Sequence, residues 1–170
     1  MTSILGPAPI LDFDQTIADL PVDWWGLRAR LGIDTIDELW AVGRIEAWGP
    51  VIEAEVAAAV RAEPVAATMR HLEPVLAFSI LSSNSARSIE TFLLRFPSLA
   101  DRCRLVAGRE RLRGPKRDPD LFAQAFRACR DATATERGGE PVVYVGDMAF
   151  ELELAAGLGA VALDVAELPG

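Results

Sequence analysis

The chain alternates between short, nearly continuous apolar runs and longer stretches in which apolar residues recur every three or four positions. Ile10-Leu11 is the first run and ends in Asp12, Asp14 and Thr16, with Pro7 and Pro9 where a strand may begin but not continue. Val75 to Leu81 is the next, near-continuous as a strand buried on both faces should be, and Leu105 to Ala107, Val142 to Val145 and Ala160 to Leu163 read as further strands. Between them the helical period returns: Ile89, Phe92, Leu93 and Phe96 mark one helix, and Asp120 to Arg130 and Phe150 to Ala156 two more. Strand, helical insertion, then repeated strand–helix units predict a doubly wound parallel α/β sheet with helices on both faces.

The insertion follows Thr16. Asp23 caps a predicted helix from Trp24 to Leu31 that Gly32 ends, and Thr35 and Glu38 have capping-box spacing for a second that Gly49-Pro50 ends. Pro50 starts a third, Val51 to Ala62, and Pro64 a fourth that reaches His71-Leu72. All four tryptophans, Trp24, Trp25, Trp40 and Trp48, fall here, as the core of a small helical unit or as a lid whose segment from Trp24 crosses the mouth of a cleft. The expected division is a core of residues 1–19 and 64–170 and a helical cap of residues 20–63.

Composition narrows the classes. A chain of 170 residues with 51% hydrophobic and 25% charged residues can bury a real core and has no low-complexity tract. A net charge of -8 argues against nucleic acid or an anionic membrane as partner. With no apolar run long enough to span a bilayer and no basic N-terminal leader, a soluble, cytoplasmic protein is expected. Cys103 and Cys129 lack ligand spacing and are expected to be free buried thiols; His71 reads as a helix-end residue. Of 17 basic residues only Lys116 is a lysine, so that position selects a compact ammonium or has kept one by chance.

In an open α/β sheet, ligands sit beyond the carboxyl ends of the strands, so the polar residues there carry the chemistry. Asp12 and Asp14 project to one side of the first strand while Phe13 points the other way. Two such carboxylates can divide a phosphoryl transfer between a nucleophile and a proton carrier. Ser82-Ser83-Asn84 ends the second strand at a helix N-terminus, and Gly146-Asp147 ends the fourth with Glu151 four residues on. Taken singly, each of these also reads as a turn or capping residue, and Lys116 as a loop lysine.

Together, Asp12-Phe13-Asp14-Gln15-Thr16, the apolar run ending in Ser82, Lys116, and Gly146-Asp147 with Glu151 resemble the four ordered motifs of the haloacid dehalogenase-like (HAD) hydrolase superfamily. Asp14 to Asp19 is similar to the DGTxxD stretch of its phosphoglycolate phosphatase-like branch. The resemblance implies a core with strand order 3-2-1-4-5 and an all-helical C1 cap after the first strand. It also implies a Mg²⁺-dependent phosphatase acting on a small phosphorylated metabolite. Asp12 would be the nucleophile and Asp14 the acid/base; Ser82, Ser83 and Lys116 would bind phosphate; the Asp12 side chain, the Asp14 carbonyl and Asp147 would hold the metal. A phosphomutase, another enzyme of this fold and an inactive binding module are the alternatives. Gln15 stands where that branch has Gly, Glu151 where Asp is commoner and where a longer arm reaches a metal through water, and Ser82 and Ser83 compete for one hydroxyl role. Arg28, Arg30 and Arg44 are candidates for meeting a substrate carboxylate.

Overall fold

A computed structural model describes residues 3–43 and 45–169. In chain order the elements are β1 (Ile10–Leu11), β2 (Ala18–Asp19), α1 (Trp24–Leu31), α2 (Glu38–Val42), α3 (Gly49–Ala59), β3 (Glu63–Pro64), α4 (Ala66–Leu72), β4 (Phe78–Leu81) and α5 (Ala86–Leu93). There follow α6 (Pro97–Ala100), β5 (Cys103–Ala107), α7 (Arg109–Leu112), α8 (Pro119–Ala132), α9 (Ala134–Arg137), β6 (Val143–Gly146), α10 (Ala149–Gly157) and β7 (Val161–Asp164). Five strands form one parallel sheet in the order β5-β4-β1-β6-β7, which is the expected 3-2-1-4-5. Leu11 pairs with Ile80 on one side and Val145 on the other, so the first acidic motif lies between the ends of two neighbours.

Strand periodicity sorts the core into two layers. Leu11, Phe78, Ile80, Val143 and Val145 face one way, against Ile89, Phe92 and Leu93 of α5 and Ala58 and Ala59 of α3. Ile10, Leu81 and Tyr144 face the other, against Phe122, Phe126 and Cys129 of α8 and Ala155 of α10. The helices carry their apolar residues at the spacing that one buried stripe requires, and Ser85 and Asp118 cap α5 and α8 through side-chain bonds to backbone amides.

The insertion has its own small core of Leu27, Leu39, Trp48 and Val51. Its first helix follows the sequence: Asp23 accepts from the Gly26 amide, and Gly32, at φ +67°, ends it in the left-handed conformation. The second is shorter than expected, because Gly43 takes φ +65° and stops α2 after five residues; a 3₁₀ turn over Ile45–Trp48 fills the gap. The fourth starts later, at Ala66, because Glu63–Pro64 is used to pair antiparallel with Ala18–Asp19. That two-strand ribbon ties the chain's entry into the insertion to its exit. The expected run from Val75 also begins as strand only at Phe78: the Val75 amide closes a turn onto the Leu72 carbonyl, and Leu76 is exposed. Cys129 is buried and Cys103 half-buried, both free, and the His71 ring meets the Pro169 carbonyl.

Candidate active site

Beyond β1 the chain cannot continue straight. The amides of Ile17 and Ala18 both turn back onto the Phe13 carbonyl, and the Gln15 amide bonds the Ala18 carbonyl at 2.7 Å. This tight turn forces Gln15 to φ +61°, a conformation suited to glycine. Gln15 recovers one contact by donating to Asp19 Oδ1 at 2.7 Å. The turn leaves Asp12 buried at the strand end and Asp14 half-buried beside it, with the Leu20 amide donating to Asp14 Oδ1 at 3.0 Å. Burial raises the Asp14 carboxyl to about 6; the Leu20 bond opposes the rise and the Asp12 charge adds to it.

Lys116 completes the centre. It is 5% exposed, with Nζ 2.8 Å from Asp12 Oδ1 and in contact with Glu151 Oε2. Burial alone would lower the ammonium's pKa, but the Asp12 and Glu151 carboxylates outweigh it and hold the lysine above its ordinary value. Glu151 is committed on every side: Oε2 also accepts from Tyr144 at 3.1 Å, and Oε1 accepts from the Asp147 and Met148 amides at 3.1 and 3.3 Å. Its arm therefore fixes Lys116 and the turn after β6. Gly146 makes room for this, since a Cβ there would collide with Glu151 Oε1.

The end of β4 forms the third wall. Ser82 is buried, with its hydroxyl donating to Asn84 Oδ1 at 2.9 Å; Ser83 is exposed and lines the cleft beside Asn84. Asn84 is held in turn by Glu55 of α3, whose Oε1 accepts from Nδ2 at 3.2 Å. Glu55 also takes the Ser85 amide at 3.0 Å and both terminal nitrogens of Arg109, at 2.6 and 3.1 Å. The Arg109 guanidinium lies 4.4 Å from the centre of the Trp48 ring. Gly108 is required by this packing, because a Cβ would come within 2.7 Å of the Ala86 amide and 2.9 Å of the Asn84 carbonyl.

These walls enclose a cleft of about 260 Å³ between the strand ends and the insertion. Asp12, Asp14, Ser83 and Asp147 line it directly, and Lys116 reaches it through Asp12. Trp24, Trp40 and Trp48 line it from the insertion, whereas Trp25 is 79% exposed and stands outside. Arg28 turns to the Trp24 and Asp34 carbonyls, Arg30 is exposed, and Arg44 lies outside the described residues. Glu55 and Arg109 were not singled out in the sequence. An acid in line with Val51 and Ala58 on the buried face of α3 was the available signal for Glu55; nothing local distinguishes Arg109 from the other arginines.

Hard oxygen donors gather on the same side. One carboxylate oxygen each from Asp12, Asp147 and Glu151 lies within 4.8 Å of the others, and Asp12 Oδ1 is buried with the ion pair to Lys116 as its only partner among the described residues. Burial, then Asp12, raise the Asp147 carboxyl. A divalent cation suits such a set, with Asp12 and Asp147 free to face it and Glu151 already occupied.

No protein-family model matches the chain, and no curated protein does. Solved structures do match. The L-2-haloacid dehalogenase from Xanthobacter autotrophicus is 18% identical with a TM-score of 0.58, over 96% of this chain and 79% of its own. A HAD-superfamily hydrolase of subfamily IA from Geobacter sulfurreducens is 16% identical with a TM-score of 0.54, over 93% and 86%. A haloacid dehalogenase-like family protein from Streptococcus pneumoniae is 13% identical with a TM-score of 0.59, over 94% and 84%. The fold is that of the HAD-like hydrolases; what the chain does rests on its own residues.

Proposed function

We propose that this chain is a HAD-superfamily phosphatase that uses Mg²⁺ and an aspartyl-phosphate intermediate to hydrolyse a small phosphorylated metabolite. The observation that carries the reading is Asp14. A halide leaves without a proton, so a dehalogenase has no use for a second acid beside its nucleophile; a phosphate ester's alkoxide needs one. Asp14 is half-buried, held by the Leu20 amide and raised to about 6, a value suited to giving and taking a proton near neutrality. The dehalogenase reading, favoured by the Xanthobacter neighbour, leaves that side chain idle.

In the proposed reaction an Asp12 carboxylate oxygen attacks phosphorus, the bond from phosphorus to the ester oxygen breaks, and that oxygen takes the proton of Asp14. Water then attacks the acyl phosphate and gives a proton back to Asp14; the bond between phosphorus and Asp12 breaks, and inorganic phosphate leaves. Lys116 holds charge on a phosphoryl oxygen and orients Asp12. Ser83 offers its amide and hydroxyl from the cleft wall, and Ser82 serves a second oxygen once its hydroxyl turns from Asn84. The Asp12 and Asp147 side chains and the Asp14 carbonyl would hold Mg²⁺, which would supply the charge neutralisation that lets two carboxylates accept an anionic substrate. The helical segment of residues 20–63 acts as the cap. The net charge of -8 supports a small-molecule partner rather than nucleic acid or a membrane; no described helix is long and apolar enough to cross one.

The test is phosphate release across a panel of phosphorylated metabolites, with Mg²⁺ and with excess EDTA. Release that requires Mg²⁺ is expected. Halide release from 2-haloacids in EDTA, without phosphate release from any ester, would replace this reading with dehalogenation.

A further inference from the structure

Arg109 is the one cation among the described residues lining the cleft, which also bring five carboxylates: Asp12, Asp14, Asp37, Glu55 and Asp147. An arginine in that position is the ordinary means of holding a second anionic group on a substrate. Here its charge is already paired. Both terminal nitrogens are bonded to Glu55, a carboxylate with 0% exposure, and the guanidinium carbon stands over the Trp48 ring, 4.4 Å from its centre. Glu55 is equally committed, since its remaining acceptor capacity goes to Asn84 and Ser85. Pulling the pair apart would leave a buried carboxylate uncompensated, which proteins tolerate poorly.

We propose that Glu55 masks Arg109, so that the site takes phosphate monoesters with a neutral, largely apolar leaving group and rejects those whose leaving group carries a carboxylate. This deepens the phosphatase reading and rests on it. Once Lys116 and the metal have met the phosphoryl charge, no unpaired cation among the described residues lining the cleft remains for a second anion. Asp37 is already paired with Arg117 at 3.0 Å, and the carboxylates along the wall give a second anion no counter-charge. In its place the cleft offers Trp24, Trp40, Trp48 and Ile36, a surface suited to an aromatic or aliphatic body. Glu55 and Arg109 also tie α3 to the loop after β4, so the residue that sets charge preference also positions Asn84, the partner of Ser82.

The experiment compares phenyl phosphate with 4-carboxyphenyl phosphate, which differ by one carboxylate, and uses acetyl phosphate as the gauge of phosphatase activity. For the wild-type protein with Mg²⁺, kcat/KM should favour phenyl phosphate by at least about tenfold. Glu55→Gln, which keeps the shape but frees the guanidinium, should cut that preference by about tenfold, chiefly through KM for the carboxylated ester. Adding Arg109→Met to Glu55→Gln should restore the preference. Equal or better wild-type turnover of the carboxylated ester would overturn the inference. So would a folded Glu55→Gln protein with unchanged preference, or a reduced preference that persists without Arg109. If Glu55→Gln does not fold, the wild-type ratio decides by itself. Turnover of acetyl phosphate with neither aryl ester accepted would overturn the inference and leave the phosphatase reading intact, whereas no phosphate from any of the three would overturn both.

Discussion

The Lys116 ammonium stands 2.8 Å from Asp12 Oδ1, and the chain's only lysine is thereby buried against its proposed nucleophile. Sixteen arginines occupy the other basic positions, and the geometry shows why none stands here: Nζ fits between Asp12 and Glu151 as a point charge, and a planar fork would have to displace one of them. Lys116→Arg should lower kcat on the order of 10²-fold by misplacing that charge. Because the side chain is enclosed, it should also destabilise by about 1–3 kcal/mol through overpacking. A kinetic assay and a thermal melt check the two effects; wild-type turnover by Lys116→Arg would show that the ammonium's shape does not matter.

The tryptophans divide by burial. Trp48→Ala removes a ring that is 7% exposed, packed on Trp40 and under Arg109, and should destabilise by about 3–5 kcal/mol. Trp25→Ala removes one that is 79% exposed and should change stability by no more than about 0.5 kcal/mol, with turnover unaffected. Chemical denaturation measures both. Of the adjacent pair Trp24 and Trp25, Trp24 is the one that lines the cleft.

Asp14 gives stability a pH signature. Its carboxyl, ordinarily at 3.8, rises to about 6 in the folded protein, chiefly through burial. The native state thus holds the proton more tightly than the unfolded chain does. That contribution is fully present below 3.8 and is lost as pH rises through about 6. Asp14→Asn keeps an acceptor for the Leu20 amide but no charge. In EDTA its melting temperature should match the wild type near about pH 4, then exceed it by a margin that grows until about pH 7. A margin independent of pH would mean that Asp14 does not titrate in this range.

Gln15 holds a left-handed conformation at φ +61° for one side-chain bond to Asp19. Such backbone costs a non-glycine residue roughly 1–2 kcal/mol. Gln15→Gly should therefore keep the fold and raise stability by about 0.5–1 kcal/mol after loss of the Asp19 bond. A lower melting temperature would show that the bond outweighs the strain.

What could be seen in the sequence follows the range over which each signal acts. The three central strands are legible because Ile10-Leu11, Phe78–Leu81 and Val143–Gly146 are buried apolar runs, and their polar ends meet once the order is fixed. Pro64 reads as a helix start because a two-residue strand has no periodicity and its partner, Ala18–Asp19, is far away in the chain. The stop at Gly43 was missed because the pattern from Thr35 stays helical beyond it. Glu55 and Arg109 meet across 54 positions, so neither side chain carries a local mark of the other. Glu151 was recognisable as a site residue, but its work on Lys116, Tyr144 and two amides appears only when the strand ends are side by side.

The most direct measurement is intact-protein mass spectrometry after brief mixing with acetyl phosphate and Mg²⁺, followed by peptide mapping. Asp14→Ala removes the base for the second step while acetyl phosphate, with its good leaving group, still permits the first. The account predicts that this variant gains the mass of one phosphoryl group, mapped to Asp12, and that Asp12→Asn gains nothing and releases no phosphate. Phosphate release by Asp12→Asn at the wild-type rate, or a phosphoryl group mapped to any other residue, would contradict it.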